Sequence, residues 1–218
     1  MTFYTKELQC AVCGEINDYR TLRSVSSFGG DDLDGRPADM GRSVKQMTIH
    51  ICPDCGYVAR DITDYYGISK CWLQTDSYQN CDRIPFWSES AKIFYRLYLI
   101  SQEIGFIEES FDAILQTAWE CDDARDLENA VFCRGIAIDL LPQMMDGLDG
   151  ENADFMSLIK LDLLHRSGRF DEAIAEYSSV KYQNNDMNAI LGFQMEKVKE
   201  RDMKRYRLED VIAWESKA

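Results

Sequence analysis

Apolar positions along the chain fall into two regimes. From Ala91 onward, small or apolar residues recur at spacings of three and four, as in Phe94, Leu97, Tyr98 and Ser101, then Ile107, Phe111, Ile114, Leu115 and Ala118. That is the period of a helix with one buried face. Gly105 separates the two stripes and reads as a turn, and Ser88, shortly after Pro85, reads as the cap that starts the first helix. Before Ala91 the runs are shorter and β-rich, Val44 to Ile51 among them, and three of the four prolines and six of the eight cysteines lie there. The pattern predicts a two-part chain: a small β-rich domain over 1–72, a polar linker over 73–90 and an all-α domain over 91–218.

The helical part carries its own punctuation. In Leu158 to Tyr177 a helix ends at Gly168, Phe170 opens the next one, Ala173 supplies a small side chain where the two cross, and Tyr177 fills the following groove. This resembles the central part of a tetratricopeptide unit. Gly105, Ile107, Ser110 and Ile114 repeat the skeleton 63 residues earlier, about five short of two 34-residue periods. Ala124 to Met145, with Ala130, Cys133, Ile136, Ala137 and Leu140 on one face, then fills a degenerate middle unit. Helical hairpins bury their apolar faces by stacking, so a short αα solenoid is expected, capped by a helix through Ile190, Leu191, Phe193 and Val198.

Composition narrows the picture. With 45% apolar residues in 218, the chain has material for a core, which excludes collagen and wholesale disorder. No apolar run approaches the roughly 18 residues that cross a bilayer. Glu7 stands where a secretory signal would be apolar, so a cytoplasmic location is expected. In a reducing compartment the eight cysteines read as metal ligands, reactive thiols or small buried apolar residues rather than as a disulfide framework.

Four of them form the strongest signal: Cys10-Ala-Val-Cys13-Gly14 and Cys52-Pro-Asp-Cys55-Gly56. Two thiolates three positions apart in a tight turn hold one edge of a tetrahedron, and the following glycine supplies the left-handed backbone that closes the turn. Two such turns give the closed set of one structural Zn²⁺. A thioredoxin-type dithiol would need a helix after Cys55, whereas Gly56-Tyr57-Val58-Ala59 reads as the return strand of a hairpin. His50 is expected to be an exposed strand residue rather than a fifth ligand. Cys71, Cys81, Cys121 and Cys133 have no partner at ligand spacing, and His165 reads as a packing or surface residue.

The 38 residues between Cys13 and Cys52 include Phe28 to Arg42, rich in turn residues and in both charges. Asp31, Asp32 and Asp34 do not make an EF-hand, because the twelfth position from Asp31 is Arg42 instead of Glu. A turn at Asp34-Gly35 is expected, with Asp32, Asp34 and Asp39 paired to Arg36 and Arg42, in a loop packed on the β-rich domain. The functional alternative makes Asp32, Asp34, Arg36 and Arg42 a binding loop whose arginines take a carboxylate or phosphate. Near the end, Lys197, Lys199, Arg201, Lys204, Arg205 and Arg207 alternate with Glu196, Glu200 and Asp202, which predicts a salt-bridged face.

Cys10, Cys13, Cys52-Pro-Asp-Cys55-Gly56-Tyr57, the Phe28 to Arg42 loop, Ala118 to Asp123 and the Gly168 hairpin together resemble a family of uncharacterised bacterial cytosolic proteins. In that family a Cys-x-x-Cys-Gly/Cys-Pro-x-Cys-Gly-Tyr zinc ribbon precedes tetratricopeptide-like helices. Ala11 stands where the family usually has proline. The resemblance implies zinc and architecture and no activity. With 24 basic and 38 acidic residues, a net charge of −14, the chain suits a basic or amphipathic protein or peptide partner better than nucleic acid. The expectation is a non-enzymatic zinc-binding interaction module. A nucleic-acid-associated zinc ribbon and a thiol-redox sensor are the alternatives.

Overall fold

The structure, a computed structural model, describes residues 2–24, 29–38, 41–42 and 48–217, with the side chain of Asp82 outside that set. Residues 44–47 of the expected β-rich run and the expected partner Asp39 lie outside the described residues. The described residues form two small antiparallel sheets followed by helices. They divide into two compact units: 1–28 with 39–133, and 29–38 with 134–218.

In the first unit, β1 (Thr2–Gln9) pairs antiparallel with β2 (Ile16–Ser24), closing at Gln9 opposite Ile16. A second, shorter hairpin joins β3 (His50–Ile51) to β4 (Val58–Ala59). The return strand expected after Cys55 is therefore present. The chain then forms short helical turns around α1 (Asp76–Gln79) before α2 (Glu89–Glu103) and α3 (Ile107–Asp123). Ser88 does cap α2, its hydroxyl accepting from the Ala91 amide at 3.3 Å. Leu73, Tyr78, Cys81 and Phe86, in the segment read as a linker, are buried. Leu73 and Tyr78 share one core with Cys10, Tyr57, Val58 and Ile62 and with Phe94, Leu97, Ile100 and Ala113 of α2 and α3. Side chains from both compositional halves thus bury one another, and the division by contacts falls inside α4 (Leu127–Met144) rather than at the composition shift. The span 124–145 holds this one helix.

The second unit contains α5 (Gly150–Arg166), α6 (Phe170–Tyr177), α7 (Asn185–Lys199) and α8 (Leu208–Glu215). The hairpin read around Gly168 is present: Gly168 has φ +70°, Ala173 is fully buried, and the buried Tyr177 donates its hydroxyl proton to the Ser157 carbonyl at 2.8 Å. Its turn closes with two bonds, Gly168 N–H to His165 O at 3.0 Å and Arg169 N–H to Leu164 O at 2.9 Å. This is the Schellman pattern. The same pair of bonds closes α2 at Gly105, α3 at Arg125 and α7 at Arg201. Arg125 (φ 60°) and Arg201 (φ 53°) occupy the left-handed position in which glycine is expected, so composition gave no sign of these two turns. Leu33, Phe193 and Val211 form a small core with Tyr206 and Trp214 packed against it.

Candidate metal centre

Each cysteine pair occupies the turn of a β-hairpin, and the two turns close alike. Gly14 N–H donates to Cys10 O and Gly56 N–H to Cys52 O, both at 2.9 Å. Cys10 N–H donates to Glu15 O and Cys52 N–H to Tyr57 O, at 2.9 and 2.8 Å. Both glycines take the left-handed backbone, with φ +81° and +75°. The repeated Cys-x-x-Cys-Gly therefore folds as two copies of one local structure.

Tertiary packing brings the copies together. All four sulfurs lie within 4.8 Å of one another, with Cys10 Sγ 3.7 Å from Cys55 Sγ and Cys13 Sγ 3.5 Å from Cys52 Sγ. Zn–S bonds of about 2.3 Å set the edge of their tetrahedron at about 3.8 Å. The cross-pair separations match that edge and far exceed the roughly 2.05 Å of a disulfide, and all four thiols are free. Cys10 and Cys52 are buried and Cys13 and Cys55 partly so. Burial pushes the Cys13 and Cys55 thiols up. At Cys52 burial also acts upward, but amides of Cys55 and Asp54 aimed at its sulfur prevail and draw it below the usual thiol range. Four thiolates confined in this volume need a cation among them, and an all-sulfur tetrahedral donor set suits zinc or iron.

A shell of contacts that the sequence did not announce fixes the turns. Asn17 of β2 donates to the Asp54 carboxylate at 2.8 Å, and the Ala11 amide donates to Ile62 O at 3.0 Å. Tyr78 donates its hydroxyl proton to Gly56 O at 2.6 Å, and Tyr57 donates its own to Asp64 O at 2.8 Å. His50 is not the exposed residue expected. It is 9% exposed and meets Tyr19 edge-on at 5.1 Å, because β3 turns it inward beneath the hairpin. It lies outside the four-sulfur cluster.

The expected binding loop is corrected more substantially. Asp32, Asp34 and Arg36 are only 3, 1 and 2% exposed, so they do not offer a surface to an external anion. The turn exists, with Gly35 at φ +79° and its amide on Asp32 O at 2.9 Å. Residues 29–38 nonetheless belong to the helical unit, not to the β-rich one. Asp34 pairs with Arg166 of α5 at 2.7 Å, and Asp32 lies 3.6 Å from both Arg205 Nε and Arg207 Nε. The Leu33 amide donates to Tyr206 O at 3.0 Å. Arg42 is half-buried and is grouped with the first unit. Asp162 and His165, at 1% each, lie beneath the loop on α5, with Arg134 of α4 among the charges that act on both.

Comparison of the chain with protein-family models, curated proteins and solved structures finds no match. No described helix is long and apolar enough to cross a membrane.

Proposed function

We propose that the chain is a non-enzymatic, zinc-stabilised cytosolic module that takes a protein or peptide partner. It would be built as a zinc ribbon joined to tetratricopeptide-like helices, as in the bacterial family it resembles. The observation that carries the zinc reading is the set of four free thiols within 4.8 Å of one another, with the Cys10–Cys55 and Cys13–Cys52 separations close to a zinc–sulfur tetrahedron's edge. Such a site supplies every ligand from protein and leaves no vertex for water, so the metal's chemistry is to fold and hold rather than to activate a substrate. The interaction reading is supported by the acidic charge and by exposed aromatic side chains, including Tyr65, Trp87 and Phe106.

The nucleic-acid alternative draws little support from the basic cluster near the end of the chain. Lys197 pairs with Glu196 and Glu200, Arg201 with Asp171, Lys204 with Asp202, and Arg205 and Arg207 lie near Asp32. Cations already committed to carboxylates release few counterions on phosphate.

The test combines elemental analysis of natively purified protein with affinity capture by the full chain. One zinc per chain and a specifically retained partner are expected. Salt-dependent retention on a nucleic-acid column would favour the first alternative instead. Eight titratable thiols in a folded, metal-free protein would favour the sensor and remove the structural zinc.

A further inference from the structure

A pocket of about 360 Å³ opens in the first unit between the segment after β4 and the end of α2. Tyr66, Gly67, Ile68 and Trp72 line it from one side, and Glu103 and Ile104 from the other. Its walls are set by bonds within the loop. Asp61 accepts from the Thr63 amide and hydroxyl at 3.0 and 2.7 Å, Tyr66 donates to Asp64 at 3.0 Å, and the Trp72 amide donates to Ser69 Oγ at 3.1 Å. Tyr66 meets Phe106 edge-on at 5.7 Å, and Trp72 leans on Tyr78 at 5.2 Å. Each lining aromatic side chain therefore packs against an aromatic neighbour.

Its electrostatics are one-sided. Helix α2 ends here with no basic residue in its last turn, and Glu103 stands at that terminus. A helix C-terminus carries partial negative charge, so a carboxylate there leaves an unmet demand for a cation. Asp61 and Asp64 add to the negative field at Tyr66, whose hydroxyl is held up by burial first, then by its hydrogen bond to Asp64 and by the nearby carboxylates. Arg60 is spent on Glu109 and Asp112, and the nearby Lys70 does not line the pocket. Aromatic side chains lining a pocket together with a carboxylate are the residue types that bind organic cations.

We propose that this pocket receives an arginine or lysine side chain of a partner polypeptide, which lies against Tyr66 and Trp72 with Glu103 as its counter-charge. The inference rests on the interaction reading above and gives it a place and a chemistry. The volume is at the small end of ligand pockets and suits one long side chain. Tyr65 and Phe106, 61% and 51% exposed, extend the apolar surface beyond the pocket, where a peptide would cover them and a free polyamine would not.

The experiment titrates zinc-loaded full-length protein with a capped hexapeptide of alternating Arg and Leu, with the same peptide carrying Glu for Arg, and with spermidine. Binding is followed through the Trp72 indole and Gly67 amide resonances. The Arg peptide is expected to shift both, and Glu103→Lys to weaken it about tenfold while leaving the fold intact, because the exposed Lys suits the helix terminus. Tyr66→Phe, which keeps the ring, is expected to retain most of the affinity, and Tyr66→Ala to lose it. Unchanged affinity in Glu103→Lys, equal binding of the Glu peptide, equal binding of spermidine, or no binding of the Arg peptide would each overturn the proposal. Peptide binding that shifts other residues and spares Trp72 would overturn this site and leave the interaction reading standing. Absence of any partner of the whole chain would sink that reading itself.

Discussion

Asp162 and His165, one turn apart on α5 with Oδ1 and Nδ1 4.0 Å apart, are predicted to exchange a proton on folding. Burial, reinforced by Asp34 and Asp32 and opposed by Arg166 and Arg134, pushes the Asp162 carboxyl up to about 7 from 3.8. Burial, reinforced by Arg166 and Arg134 and opposed by Asp202, pushes the His165 imidazole down to about 4 from 6.5. Between those limits the unfolded chain holds the proton on His165 and the folded chain holds it on Asp162. A raised folded value stabilises fully below the unfolded one and is lost as pH rises through about 7, so the Asp162 contribution fades upward. A depressed folded value does the reverse, so the His165 contribution is present above 6.5 and fades as pH falls toward about 4. At 1.36 kcal/mol per unit, the two are worth about 4 and about 3 kcal/mol, with opposite slopes. The pair therefore leaves stability nearly flat with pH. Asp162→Asn removes one arm, and stability relative to wild type should rise by about 4 kcal/mol from about pH 4 to about pH 7. His165→Gln removes the other, and relative stability should fall by about 3 kcal/mol from about pH 4 to about pH 6.5. Urea unfolding at a series of pH values measures both, and subtracting wild type at each pH cancels the thiolate contribution common to all three proteins. Variant curves parallel to wild type within about 0.5 kcal/mol would refute the assignment of the proton, since that is the scale of ordinary surface effects.

Three further outcomes follow from local geometry. Replacing any one of Cys10, Cys13, Cys52 or Cys55 by Ser, or adding a strong chelator, should abolish stoichiometric metal and the cooperative unfolding of the first unit; elemental analysis and near-ultraviolet circular dichroism read this out, and a variant with full metal content would remove that cysteine from the ligand set. Arg125→Gly should raise stability by about 0.5–1 kcal/mol in a denaturant titration, because the exposed arginine holds φ 60° without a glycine's freedom. Gly168→Ala, in the same kind of turn at φ +70° and with Met203 Sδ 3.4 Å from the added methyl, should lower stability by about 1 kcal/mol in the same assay.

These contrasts mark what was legible along the chain and what was not. The ligand turns, the Ser88 cap and the Gly168 hairpin with Ala173 and Tyr177 are each decided within a few residues, by a thiol spacing, a side-chain acceptor or a permissive φ, so the sequence by itself determined them. Arg125 and Arg201 make the same turn as Gly105 and Gly168 with no residue that announces it, because the bonds that close a helix end are backbone bonds open to any side chain at a modest strain. The tertiary structure alone decided the fate of residues 29–38. Their turn chemistry was readable, but Asp34 is buried only because Arg166 stands opposite it, 132 residues further on. The burial of His50 against Tyr19 and the meeting of the two cysteine turns have the same origin. A charge enters a core only where a distant partner compensates its desolvation, and composition records neither the partner nor the distance.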